Sequence, residues 1–182
     1  NEMSNILLVS ATKAEHHKEE IFGIPINIIG IGKVEAAINT LKLIQKFQPD
    51  HVINFGSCGN LKNHAVGQVQ KVGTIYDDFY GCIVPEHKPI VISDSPVKLF
   101  TTDLFYDTGA VYSNNYTEKI SNCDIVDMEG YSIAKVCMNE NISVSLYKWV
   151  SDDGSSKDWE ANAAVGYGNF KLILKEWLEQ QK

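Results

Sequence analysis

The sequence contains no arginine, and all 16 of its positively charged side chains are lysines. Any phosphate clamp would therefore rely on a point charge without arginine's bidentate fork. The lysines are scattered among 23 acidic residues, for a formal net charge of −7. No basic stripe exists to neutralise a phosphate backbone, so nucleic acid is not expected as a partner. No stretch approaches the roughly 18 apolar residues of a membrane span, and residues 1–5, NEMSN, lack a basic region followed by an apolar core. A soluble, cytoplasmic protein with no membrane partner is expected. Cysteine is sparse: Cys58, Cys82, Cys123 and Cys137 form no C-x-x-C pair, and no histidine is spaced to complete a zinc site. Reduced thiols and no metal follow as expectations. There is no linker-like run of Ser, Pro or Gly and no fixed-period repeat, which leaves a single domain over residues 1–182.

What is present is an ordinary globular composition, 44% apolar and 21% charged. At this length folding can bury about 70% of the surface the unfolded chain exposes. Short apolar runs at 6–9, 24–29, 52–55, 69–75, 90–92 and 144–150 read as strands. Between and after them the apolar spacing turns helical. Val34, Ala37, Ile38, Leu41 and Ile44 share one face, as do Ile133, Ala134 and Cys137. Phe170, Ile173, Leu174, Trp177 and Leu178 mark a last helix whose Lys171, Lys175, Glu176 and Glu179 point away. Strands that are apolar throughout and alternate with helices predict an α/β fold: a mixed, mainly parallel central sheet with helices on both faces. In such sheets ligands bind beyond the carboxyl ends of the strands, so the residues just after each run are where chemistry is sought.

Gly30-Ile31-Gly32-Lys33 follows a strand and opens a helix, but Glu35 stands where a dinucleotide fingerprint needs its third glycine. A redox cofactor is not expected on that ground; the glycines permit a tight turn, and their N–H groups could line a polar ligand. Asn54-Phe55-Gly56-Ser57-Cys58-Gly59 lets main chain approach a ligand and leaves a hydroxyl to orient it, though a plain tight turn reads equally well. It is not the G-x-S-x-G elbow of a serine hydrolase, and Cys58 reads as a small buried filler rather than a nucleophile. Glu129, after the apolar pair Ile125-Val126, is either a helix cap or a carboxylate able to hold two vicinal hydroxyls of a sugar, with Met128 as an apolar surface beside it. In Ser151-Asp152-Asp153-Gly154 two adjacent carboxylates would raise one another's proton affinity, which suits a general acid, although an ordinary acidic turn has the same sequence. Glu15 alone reads as a solvated residue.

Taken together, these segments resemble the purine nucleoside phosphorylase and nucleosidase superfamily, most of all its 5′-methylthioadenosine/S-adenosylhomocysteine nucleosidases. The resemblance runs through Glu15 beyond an apolar first strand, G-I-G-K-V-x-A-A at 30–37, and P-D-x-V-I-N-x-G-S-x-G at 49–59. It continues through D-x-F at 103–105, V-D-M-E-G at 126–130 and S-D at 151–152. It implies a cofactor-free enzyme, a small nucleoside and water as its partners, and a homodimer. Carried onto matching positions, it implies that Asp152 protonates the purine N7 and that Glu15 activates water. Glu129 would hold the ribose hydroxyls with Met128 against the sugar, Phe105 would stack on the base near the Tyr106 backbone, and Ser151 would orient Asp152. Ser57 and Gly59 would line the substrate. Asn54, where related phosphorylases place Arg, implies water rather than phosphate as acceptor, and Asp rather than Asn at 152 implies an adenine-type base. Lys148 departs from the pattern, since the nucleosidases usually carry Arg there. A phosphate-dependent phosphorylase and a non-catalytic nucleoside-binding homologue are the alternatives; retention of Glu15, Glu129 and Asp152 together favours catalysis, because binding needs only Glu129.

Overall fold

The computed structural model describes residues 5–79, 85–104, 114–151 and 159–182. Strand β1 (Ile6–Ser10) is followed by a 3-10 turn (Lys13–Glu15), the short β2 (Glu20–Ile21), β3 (Ile24–Ile28) and helix α1 (Lys33–Phe47). The ten-residue β4 (His51–Asn60) precedes β5 (Val69–Lys71), β6 (Thr74–Asp77), β7 (Ile90–Val91) and β8 (Lys98–Thr101). Helix α2 (Asn114–Ser121), β9 (Ile125–Asp127), α3 (Gly130–Asn139), β10 (Ser143–Val150) and α4 (Trp159–Gln180) complete the order.

Strand β4 organises the sheet. Its first part lies between β1 and β10, parallel to both, while its last two residues turn to β9, pairing Gly59 with Val126 and Asn60 with Ile125 in antiparallel register. From β9 the sheet continues through β8, β6 and β7. Helices α1 and α3 cover one face, burying Ala36, Ile44, Ile133 and Cys137 against Leu7, Val9 and Val52. Helix α4 covers the other, where Phe170 stacks on Phe55 with ring centroids 4.6 Å apart and Leu174 joins the cluster. Each such side chain contributes roughly 1.5–3 kcal/mol on leaving water. The α/β class and the helices on both faces are as expected, including the buried faces of α3 and α4.

Three expectations change. The sheet is mixed rather than mainly parallel: β2–β3, β4–β9, β5–β10 and β6–β7 all pair antiparallel. These strands are two to four residues long apart from β3, β4 and β10, and such short pieces carry too little pattern to reveal their direction. The run at 69–75 is two strands, not one. The chain breaks at Val72-Gly73, where a Cβ on Gly73 would lie 1.8 Å from the Ser95 carbonyl oxygen. Helix α1 buries Ala36, Thr40 and Ile44 and leaves Val34 and Ile38 exposed, 66% and 45%, so its inward face is rotated from the stripe that hydrophobicity alone selects.

Candidate active site

Three carboxylates and one ammonium group meet where β1, β4, β9 and β10 reach their carboxyl ends. Beyond β1, Thr12 caps the 3-10 turn by accepting from the Ala14 N–H at 3.2 Å, and the turn swings Glu15 inward. Glu15 is 7% exposed, and its Oε2 accepts from the Ser57 N–H of β4 at 2.7 Å. Gly56 makes this approach possible, since a Cβ there would lie 2.6 Å from that same oxygen. The glycine in this strand thus clears space for a carboxylate, and the Ser57 main chain binds that carboxylate.

Gly56 is in register with Lys148 of β10. Lys148 is 2% exposed, an unusual place for a lysine, and its Nζ lies 3.1 Å from Oδ2 of Asp127 at the end of β9. Asp127 also accepts from the Gly130 N–H at 2.8 Å and the Thr101 hydroxyl at 2.7 Å. Glu129, two residues on, occupies the position before α3 but makes no capping bond with its side chain. Its Oε2 instead accepts from the Gly32 N–H at 3.0 Å. The helix-cap reading of Glu129 is therefore overturned; Asp127 makes the bond to the start of α3. Gly30 and Gly32 have φ of +89° and +96°, the left-handed region that glycine enters without steric cost, and this turn aims the Gly32 N–H at Glu129. The adjacent Lys33 N–H donates to Asp103 at 2.8 Å, and the Lys33 side chain pairs with Asp77 and Asp78.

Burial dominates the electrostatics. It pushes the Glu15 carboxyl up to about 7 from 4.5, against the pull of Lys148 and the Ser57 N–H. Glu129 is likewise raised, first by burial and then by the charge of Asp127, with Lys148 and the Gly32 N–H opposing. Burial works against the charge of Lys148, but the attraction of Asp127, Glu129 and Glu15 outweighs it and its pKa is raised. One buried cation thus faces three buried carboxylates, an arrangement that favours retention of a proton by the glutamates near neutral pH. A carboxylate so poised accepts a proton readily.

Of the residues anticipated from sequence, Glu15, Glu129, Ser57, Gly59 and Ser151 lie on these strand ends or the turns that follow them; Ser151 is buried and Met128 half-buried. Glu15 is not the solvated residue its local sequence suggests. Asp152, Phe105 and Tyr106 lie outside the described residues. Sequence reasoning missed Asp127 as a ligand of Lys148, although an Asp three residues before a helical Gly was a visible signal. Lys148 entered the sequence reading only as a departure from the family's usual Arg; a charge inside the apolar run at 144–150 was the signal available. Cys58 is fully packed and burial pushes its thiol far up, in keeping with a filler. Among the described residues no cluster of three His, Cys, Asp or Glu could hold a metal, and no helix is long and apolar enough to cross a membrane. A cavity of about 320 Å³ lies at the opposite ends of β4 and β10, where the His51 ring bonds the Ser143 and Ser145 hydroxyls and Lys71 is among the lining residues.

The comparisons with known proteins agree with this geometry. Residues 21–80, which include the Gly30 turn and the Gly56-Ser57 strand, match the model of the Phosphorylase superfamily. A 5′-methylthioadenosine/S-adenosylhomocysteine nucleosidase of Staphylococcus aureus is 32% identical over 150 residues, covering 68% of this chain and 65% of that one. Its counterpart from Buchnera aphidicola is 27% identical over 164 residues, 76% of this chain and 68% of the relative. The aligned part thus spans about two thirds of each relative's length. The crystal structure of such a nucleosidase from Colwellia psychrerythraea in complex with adenine superposes with a TM-score of 0.81 at 19% identity, over 99% of this chain and 96% of that one. By its matched segment the chain is similar to the phosphorylase superfamily over residues 21–80, and its fold is that of the nucleosidase structures.

Proposed function

We propose that the chain hydrolyses the N-glycosidic bond of an adenine-type nucleoside such as 5′-methylthioadenosine or S-adenosylhomocysteine, releasing free base. The observation that carries this reading is the convergence of Glu15 and Glu129 on Lys148, with Glu15 poised near neutrality. A purine anion is a poor leaving group and water at pH 7 a weak nucleophile, so the reaction needs an acid and a base. Asp152 protonates N7 as the C1′–N9 bond breaks, and the base leaves neutral. Water adds to the oxocarbenium-like C1′ and gives its proton to Glu15. Glu129 holds the ribose hydroxyls, with Met128 against the sugar, Phe105 and the Tyr106 backbone at the base, and Ser57, Gly59 and Ser151 lining the pocket. No cofactor enters this scheme.

The same reading includes a cytoplasmic, single-domain protein that acts as a homodimer. Ile31, in the turn before α1, and Val34 and Ile38, one turn apart on it, are apolar and each 45–66% exposed, as is Leu104 at 54%. This surface adjoins the Gly32 and Asp103 contacts of the site, so a second copy seated there would close the pocket mouth.

Incubation with methylthioadenosine, S-adenosylhomocysteine, adenosine and inosine, with and without phosphate, tests the reaction by release of base. We expect adenine without phosphate, and a loss of about 10²–10⁴-fold in Asp152→Asn or Glu15→Gln. Release that requires phosphate would make the chain a phosphorylase; binding without release from any nucleoside would leave it a binding homologue.

A further inference from the structure

We propose that Asp127 is a positioning residue of this site, a single carboxylate that holds the buried Lys148, the start of α3 and the end of β8 in one fixed relation. The inference rests on the roles given to Glu15 and Glu129 above. Its geometry is saturated: Oδ2 accepts from the Lys148 ammonium at 3.1 Å and the Gly130 N–H at 2.8 Å, while Oδ1 accepts from the Thr101 hydroxyl at 2.7 Å. Thr101 Oγ1 in turn accepts from the Tyr131 N–H at 3.0 Å, so two successive N–H groups of α3 are tied through Asp127 and its partner. With its side chain 1% exposed, Asp127 acts on a ligand only through the groups it holds. Gly130 is the matching half of this device. A Cβ there would meet Asp127 Oδ2 at 2.9 Å and a Leu99 methyl at 2.5 Å, so a side chain would push the carboxylate off the helix start.

The consequence for the site is one of competition. Lys148 is attracted by three carboxylates, and a freely turning ammonium would close on Glu15 or Glu129 and neutralise it in a direct pair. Held on Asp127, it leaves those two carboxylates to their N–H donors, Ser57 and Gly32, and to a ligand. The fixed charge of Asp127 also raises the proton affinity of both glutamates.

Asp127→Asn removes that charge and turns one acceptor into a donor facing donors. We expect kcat/KM for base release to fall about 10–100-fold, by analogy with the loss of an outer partner that orients a metal ligand. The acid limb of its pH profile should move to lower pH, because the glutamates lose a neighbouring negative charge. NMR titration of the Glu15 and Glu129 carboxyl carbons should show the same downward displacement. Asp124→Asn is the comparison: Asp124 accepts from the Lys98 N–H at 2.7 Å and has no bond to Lys148, so it should lower stability without moving the limb. If Asp127→Asn does not fold, Thr101→Val removes one bond to Asp127 and leaves its charge; a several-fold fall in kcat/KM with an unmoved limb is then expected. Full activity in either variant would overturn the inference, as would lost activity in Asp127→Asn with the glutamate titrations unmoved. Should the wild-type protein release no base while the titrations do shift in Asp127→Asn, the proposed reaction fails and the role of Asp127 stands.

Discussion

Glu15 shows what a buried carboxylate costs the fold that holds it. Its folded pKa of about 7 lies above the 4.5 of an exposed glutamate, and burial is the chief cause. Between those values the folded chain holds a proton that the unfolded chain has released, so stability falls as pH rises through that window. Glu15→Gln keeps an acceptor for the Ser57 N–H and has no charge to bury. We expect this variant to be inactive yet to melt above the wild type at pH 8, by an amount on the order of 3 kcal/mol, with the difference shrinking toward pH 5. Equal melting temperatures at pH 8 in thermal unfolding would show that burial of this carboxylate is compensated elsewhere.

At the scale of elements, the contact between α4 and β10 is set by one missing side chain. A Cβ on Gly166 would enter the Trp149 ring, 2.1 Å from its Cδ1. Gly166→Ala should therefore force α4 outward and cost about 1–3 kcal/mol in denaturant unfolding, despite alanine's better helix propensity. A stabilised Gly166→Ala protein would show that the helix can shift freely. The elements differ in how far the sequence foretold them. Strands β1, β3 and β10 and helices α3 and α4 were legible because each presents several apolar residues at one clear period. Strands β2 and β8 were not, since Glu20-Ile21 and Lys98–Thr101 are too short to show a period. The α1 face was misread because Val34 and Ile38 are apolar without being buried. In the site, Glu129 stood out within its motif, and Glu15 did so only through resemblance. The bonds that define them, to Gly32 and Ser57, join residues 97 and 42 positions apart, and no local pattern carries such a distance.

For the whole molecule, the exposed apolar surface at the start of α1 makes the clearest statement. Isolated exposed apolar residues are ordinary, but Val34 and Ile38 lie one turn apart on α1, and Ile31 is exposed in the turn that leads into it beside the Gly32 contact of the site. If the proposed dimer forms here, Val34→Lys, alone or with Ile38→Lys, should convert it to a monomer in analytical ultracentrifugation and reduce turnover while leaving the fold intact by circular dichroism. An unchanged sedimentation coefficient would place any self-association elsewhere. Strand β4 has a wider meaning on this scale. Because it pairs with β1 and β10 along most of its length and with β9 at its tip, it is the seam between two halves of the sheet. Glu15 is fastened to the seam itself, whereas Glu129 hangs from the far half and is tethered back across it by the Gly32 N–H. The separation of the two carboxylates is therefore a gauge of the twist at that seam, and whatever flexes the sheet there retunes the reach of the proposed base toward the proposed sugar site.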